Sequence, residues 1–220
     1  MKLYLVSGLG ADQRVFEHLR IPGVTTHLIE WLPPHKHEPL PSYAARLLAQ
    51  VEETGPIHLL GVSFGGIVAQ EMARIRTCNT LIIISSVKSR TEYRVLLKLG
   101  RFLRIDKIVP GAVQKWIASI IGPFFFGLSN AKEKKMLRSI IQETDLQFLA
   151  WAIDNIMNWE GNYQQEIYHI HGTADRIFPV GKIDRYEPIE NGGHLMIFNR
   201  AEEVNRLVGA ALGREGEQSE

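Results

Sequence analysis

Ile57-His58-Leu59-Leu60-Gly61-Val62-Ser63-Phe64-Gly65-Gly66-Ile67-Val68-Ala69-Gln70 decides the fold of this 220-residue chain. The first six residues are an apolar run of strand length, Gly61 to Gly65 spell Gly-x-Ser-x-Gly, and an amphipathic helical pattern begins at once on the far side. Strand, sharp turn and helix follow in that order. A serine on such a turn is lifted above the end of a sheet, and the start of the following helix brings positive dipole beside it. Both conditions suit a nucleophile.

Outward from that stretch the pattern repeats. Apolar strands are expected at Leu3 to Val6, Val24 to Trp31, Leu81 to Ile84, Ile167 to Gly172 and Tyr186 to Ile189, with helices after the first, at Ser42 to Glu53 and at Phe64 to Arg76. Alternating strands and helices, with the central strands apolar on both faces, predict a mostly parallel α/β sheet covered by helices on both sides. From about residue 88 to 161 strands disappear and helical periodicity takes over, which reads as a helical insertion within a single domain spanning residues 1–220. Three capping-box spacings, Asn130 with Glu133, Thr144 with Gln147 and Asn199 with Glu202, predict helix starts. The last of these opens a terminal helix ending near Gly213, followed by a polar tail.

Composition narrows the function. A hydrophobic share of 45% with a formal net charge of +1 is that of a globular protein with no field for polyanions, so nucleic acid is not an expected partner. Cys78 is the single cysteine, which excludes an internal disulfide and fits a reducing, cytoplasmic setting. No apolar run reaches the ~20 residues of a membrane span. His35-Lys36-His37 lacks a third ligand at metal-site spacing, and Ser7-Gly8-Leu9-Gly10-Ala11-Asp12-Gln13 carries Gln13 where a dinucleotide fingerprint needs its third glycine. No metal or organic cofactor is implied.

Three chemically capable groups fall after three predicted strands: Ser63, then Asp175 in His171-Gly172-Thr173-Ala174-Asp175, then His194 in Gly192-Gly193-His194. Serine, acid and histidine in that chain order, with the serine in Gly-x-Ser-x-Gly between strand and helix, resemble the α/β-hydrolases over nearly the whole chain. The resemblance implies that Ser63 is a nucleophile, His194 its base and Asp175 the group that orients the imidazole. It implies an oxyanion hole from the backbone N–H groups of Phe64 and Leu9, although Ser7-Gly8 stands where relatives often have His-Gly. The segment 88–161 sits where the family inserts its cap, and the sheet would start at the strand before the Leu9 loop, without the family's first two strands. No acid follows the strand at Leu81 to Ile84, where some relatives place theirs; Ser85-Ser86-Val87-Lys88 stands there.

Phe124-Phe125-Phe126 is the densest aromatic group, a candidate acyl-pocket wall or the insertion's own core. Arg90, Arg94, Lys98 and Arg101 form a basic stripe opposite Val95, Leu99 and Phe102, either a solvated face or a site for an anionic substrate. The expected activity is hydrolysis of a small-molecule ester or related acyl compound through an acyl-serine, with thioesters and C–C bonds beside a carbonyl open. The alternatives are a ligand-binding receptor on the same scaffold and a hydroxynitrile-type lyase.

Overall fold

The computed structural model describes residues 1–93, 111–161 and 163–213. Six strands form one sheet: β1 (Lys2–Val6), β2 (Thr25–Ile29), β3 (Ile57–Val62), β4 (Cys78–Ile84), β5 (Tyr168–Gly172) and β6 (Glu187–Ile189). Their spatial order is β2-β1-β3-β4-β5-β6, and every neighbouring pair is parallel. The order reverses at β1, where the chain moves outward to β2 and returns to β3 on the other side. Open sheets of this kind place ligand sites beyond the carboxyl ends of the strands at such a switch point.

The helices are α1 (Leu40–Leu47), α2 (Phe64–Ile75), α3 (Gly111–Phe125), α4 (Ala131–Glu143), α5 (Leu146–Asn158), α6 (Met196–Asn199) and α7 (Ala201–Gly213). Strand residues alternate between two cores, as the two-residue period of a strand requires. Tyr4, Val6, Leu59 and Leu81 pack on one face with α1, α2 and α5. Leu3, Leu5, Leu60, Val62, Ile82 and Ile84 pack on the other with α6, α7 and part of α4. This is why the central strands read as unbroken apolar runs.

Local expectations held to different degrees. The segment after β1 forms a 3-10 turn at Gln13–Phe16, capped by Asp12, in place of a helix reaching Leu19. Asn130 caps α4 as expected, its Oδ1 accepting the Glu133 N–H at 2.9 Å. The next cap is one residue later than its spacing suggests: Asp145 accepts from the Phe148 N–H at 2.8 Å, while the Thr144 hydroxyl donates back to the Ile140 carbonyl at 2.7 Å and closes α4. Asn199 ends α6, and the terminal helix starts at Ala201. The basic stripe beyond Arg90 and the polar tail lie outside the described residues; Arg90 itself pairs with Glu160 at 2.8 Å. Among the described residues no helix is long and apolar enough to cross a membrane.

Candidate active site

Ser63 sits between β3 and α2 with φ 54°, a left-handed conformation that a non-glycine residue adopts at a cost of about 1–2 kcal/mol. The glycines around it are not there for conformational freedom, because none of Gly61, Gly65 and Gly66 has positive φ. They are there for space. A Cβ on Gly61 would lie 2.3 Å from the Gly65 carbonyl oxygen, one on Gly65 would lie 2.2 Å from the Ser7 carbonyl oxygen, and one on Gly66 would lie 2.4 Å from Ser86 Oγ. The turn is therefore pressed against β1 and against the loop after β4. Ser86 secures it by donating its hydroxyl to the Ser63 carbonyl at 2.7 Å.

His194 Nε2 lies 2.9 Å from Ser63 Oγ, and His194 Nδ1 lies 2.8 Å from Asp175 Oδ2. Three segments far apart in sequence thus meet at the carboxyl end of the sheet. Because a carboxylate can only accept, Nδ1 carries the proton and the lone pair on Nε2 faces the serine hydroxyl. Asp175 is held on its other oxygen as well, Oδ1 accepting the N–H groups of Ile177 at 2.8 Å and Phe178 at 2.9 Å. Burial alone would raise its pKa. The His194 imidazole, its hydrogen bond and the neighbouring His171 and Phe178 groups outweigh burial and hold it below the ordinary carboxylate value. The Phe126 ring stands edge-on to His194 with centroids 5.2 Å apart, and the Phe178 ring is 5.6 Å away.

The loop after β1 lies against the serine: a Cβ on Gly8 would be 3.6 Å from Ser63 Cβ. Where relatives often carry histidine, Ser7 donates its hydroxyl to the Ala11 carbonyl at 2.6 Å, so the loop keeps an internal hydrogen bond. Trp31 Nε1 donates to that same carbonyl at 3.1 Å. Phe64 is the first residue of α2, where an N–H has no partner within the helix, and its ring stacks on Trp31 with centroids 5.6 Å apart. Leu9 and Phe64 both line the cavity that opens on Ser63.

That cavity has a volume of about 320 Å³ and lies between the sheet's edge and α3, α4 and α5. Phe125 and Phe126 line it, whereas Phe124 does not. Phe124 is 62% exposed; its ring lies under the Arg176 guanidinium at 4.1 Å, and its carbonyl accepts from Arg176 Nη1 at 2.7 Å. These contacts tie the end of α3 to the loop that carries Asp175.

His171 approaches the site, with Nε2 3.5 Å from Asp175 Oδ2. Its Nε2 donates to the Phe178 carbonyl at 2.8 Å, which leaves Nδ1 as an acceptor for His169 Nε2–H at 3.0 Å. Burial favours the neutral form of both imidazoles. Burial lowers both pKa values, with the neighbouring His171 adding to the effect on His169 and the Asp175 carboxylate only partly offsetting it at His171. The linkage sign follows: an unfolded histidine titrates near 6.5, so below that pH the unfolded chain binds protons that the folded chain refuses. Stability is complete above about pH 7 and falls as the solution is acidified, by up to about 1.4 kcal/mol per pH unit for each group. Urea denaturation between pH 8 and pH 5 should show this slope, and His169→Gln, which keeps a donor toward His171, should reduce it. An unchanged slope would assign the protons elsewhere.

A parallel sheet with a strained serine turn and a serine–histidine–carboxylate array at its carboxyl edge defines a protein of the α/β-hydrolase type. The sequence itself matches the model of the alpha/beta hydrolase family over residues 3–207, and the chain belongs to that family. Solved structures share its fold. An esterase from Thermogutta terrifontis is 18% identical with a TM-score of 0.70, covering 97% of this chain and 90% of its own. A structure reported with the carboxylesterases of the thaumarchaeon Nitrososphaera gargenis is 14% identical with a TM-score of 0.74, covering 99% and 91%. A hydrolase from Pseudomonas aeruginosa is 16% identical with a TM-score of 0.72, covering 96% and 89%. No curated protein matches the sequence.

Proposed function

We propose that the chain is a serine hydrolase that cleaves a carboxylic ester, or a related acyl compound, through an acyl-serine intermediate. The observation that carries this reading is the continuous relay from Ser63 Oγ through His194 to Asp175, with both hydrogen bonds at 2.9 Å or less. In that relay Ser63 Oγ attacks the carbonyl carbon as its proton passes to His194 Nε2. The tetrahedral oxyanion is received by the N–H groups of Phe64 and Leu9, and the His194 proton then goes to the departing alcohol. Water repeats the sequence on the acyl-serine and restores Ser63. Asp175 keeps the imidazole in the tautomer the first step needs and stabilises its cationic form. The esterase from Thermogutta terrifontis and the structure reported with carboxylesterases of Nitrososphaera gargenis agree with this class of reaction.

An active-site-directed fluorophosphonate should add once per chain and map by mass spectrometry to the peptide holding Ser63. Rapid-quench assays with an activated ester should trap the acyl adduct on the same residue during turnover. A receptor on this scaffold would release at most one equivalent of product, and a hydroxynitrile-type lyase would accumulate no acyl-serine. Either result would overturn the proposal.

A further inference from the structure

The walls of the cavity above Ser63 name the substrate more narrowly than the reacting residues do. Ile117, Ala118, Ile121 and Phe125 of α3 line it together with Leu137 and Ile141 of α4, and so do Ser63 and His194. Among the described residues lining it, Lys115 is the one with a permanent charge, and its ammonium leaves the cavity to donate to the Gln142 carbonyl at 2.6 Å. Its aliphatic stem is what remains against the cavity, as long basic side chains allow. The Thr144 hydroxyl is likewise spent on the Ile140 carbonyl. Among the described residues, a charged group carried into this space would lose its water and meet no counter-ion, at a cost that exceeds the gain from burying a hydrocarbon.

The volume gives the scale of the chain that the cavity can seat. At about 30 Å³ for each water-sized group, about 320 Å³ holds roughly ten. We infer that the preferred substrate is an ester carrying an uncharged apolar chain of about eight carbons, seated in the cavity lined by α3, α4 and α5 with its carbonyl at Ser63. This rests on the proposed hydrolase chemistry but makes a separate claim. It also places specificity in the insertion, on side chains remote from the reacting atoms.

The test measures kcat/KM for 4-nitrophenyl alkanoates from acetate to dodecanoate, for alkyl acetates of the same chain lengths, and for the 4-nitrophenyl monoester of octanedioic acid. In one series kcat/KM should rise about fourfold per methylene and level off near eight carbons. The octanedioate monoester should be turned over at least about a hundredfold less efficiently than the octanoate. Ala118→Phe, which adds bulk to the cavity wall, should lower the octanoate-to-butyrate ratio about tenfold or more. Ala118→Leu should lower it less, and fluorophosphonate labelling at Ser63 reports the competent fraction of each variant. Best turnover of acetate in both series, or equal turnover of the octanedioate monoester and octanoate, would overturn the inference. Calorimetry with methyl alkanoates and Ser63→Ala separates the two claims. Affinity rising about fourfold per methylene without any turnover by the wild type would keep the chain site and remove the esterase. Turnover without chain dependence would do the reverse.

Discussion

Ser63→Ala should lower kcat for an ester by about ten-thousandfold or more while leaving the folded chain intact. The expected size follows from what is removed. On the proposed mechanism, removing the hydroxyl closes the acyl-enzyme path and leaves water attack assisted by the oxyanion donors and by binding. Folding is spared for reasons visible at the turn. Ser63 makes no side-chain cap to α2, and its Oγ bonds His194, whereas the turn is secured through its main-chain carbonyl by Ser86. Alanine at φ 54° carries the same Cβ and the same strain as serine. The melting temperature should therefore move by about 2 °C or less. Combining Ser63→Ala with His194→Ala should cost no more activity than the worse single change, because the residues act as one unit. Multiplicative losses would mean that the two groups act independently.

Much of this site was legible because the information is local. A strand that must be buried on both faces and a serine at a strand-to-helix turn both leave marks within a dozen residues, and so do an aspartate and a histidine placed just after later strands. Leu59-Leu60 and Ile82-Ile83-Ile84 had to be apolar throughout once helices covered both sides of the sheet. The insertion was not legible in the same way, since its helices bury one face against a cavity and that face looks like ordinary core. Phe124-Phe125-Phe126 illustrates the difficulty. At 3.6 residues per turn three consecutive side chains near a helix end cannot point the same way, so Phe125 and Phe126 face the cavity while Phe124 lies on the surface under Arg176. Ser86 carried no signal of its own, because it acts by reaching the Ser63 carbonyl, a group brought close only by the pairing of β3 with β4. Neither Gly192 nor Gly193 has positive φ, whereas Asn191 does, at 57°. A Cβ on Gly193 would lie 3.0 Å from the Phe126 carbonyl oxygen, so this glycine serves the close contact between the His194 loop and the insertion.

The same distinction between freedom and space makes Gly65→Ala the substitution with the largest expected effect on stability. A side chain at Gly65 would place its Cβ 2.2 Å from the Ser7 carbonyl oxygen and 2.3 Å from that of Val6, both in the main chain at the end of β1. No rotamer relieves a contact between Cβ and backbone. Either α2 moves away from β1 or β1 leaves its register with β3, and both changes open buried packing around Val6, Phe64 and Ile67. A loss of about 3 kcal/mol or more is expected, which in a chain of 220 residues corresponds to a fall in Tm of about 6–12 °C. Gly181→Ala is the matched control, because nothing lies within 4 Å of its added Cβ and its φ is not left-handed; its Tm should stay within about 2 °C of the parent. Activity should respond to Gly65→Ala even where enough folded protein survives. The first turn of α2 carries the Phe64 N–H and the Ser63 backbone, and a shift approaching 1 Å there costs about a hundredfold. Equal Tm values for Gly65→Ala and Gly181→Ala would mean that α2 and β1 can separate freely. In that case the close seat of the serine turn would not be what positions Ser63 for attack.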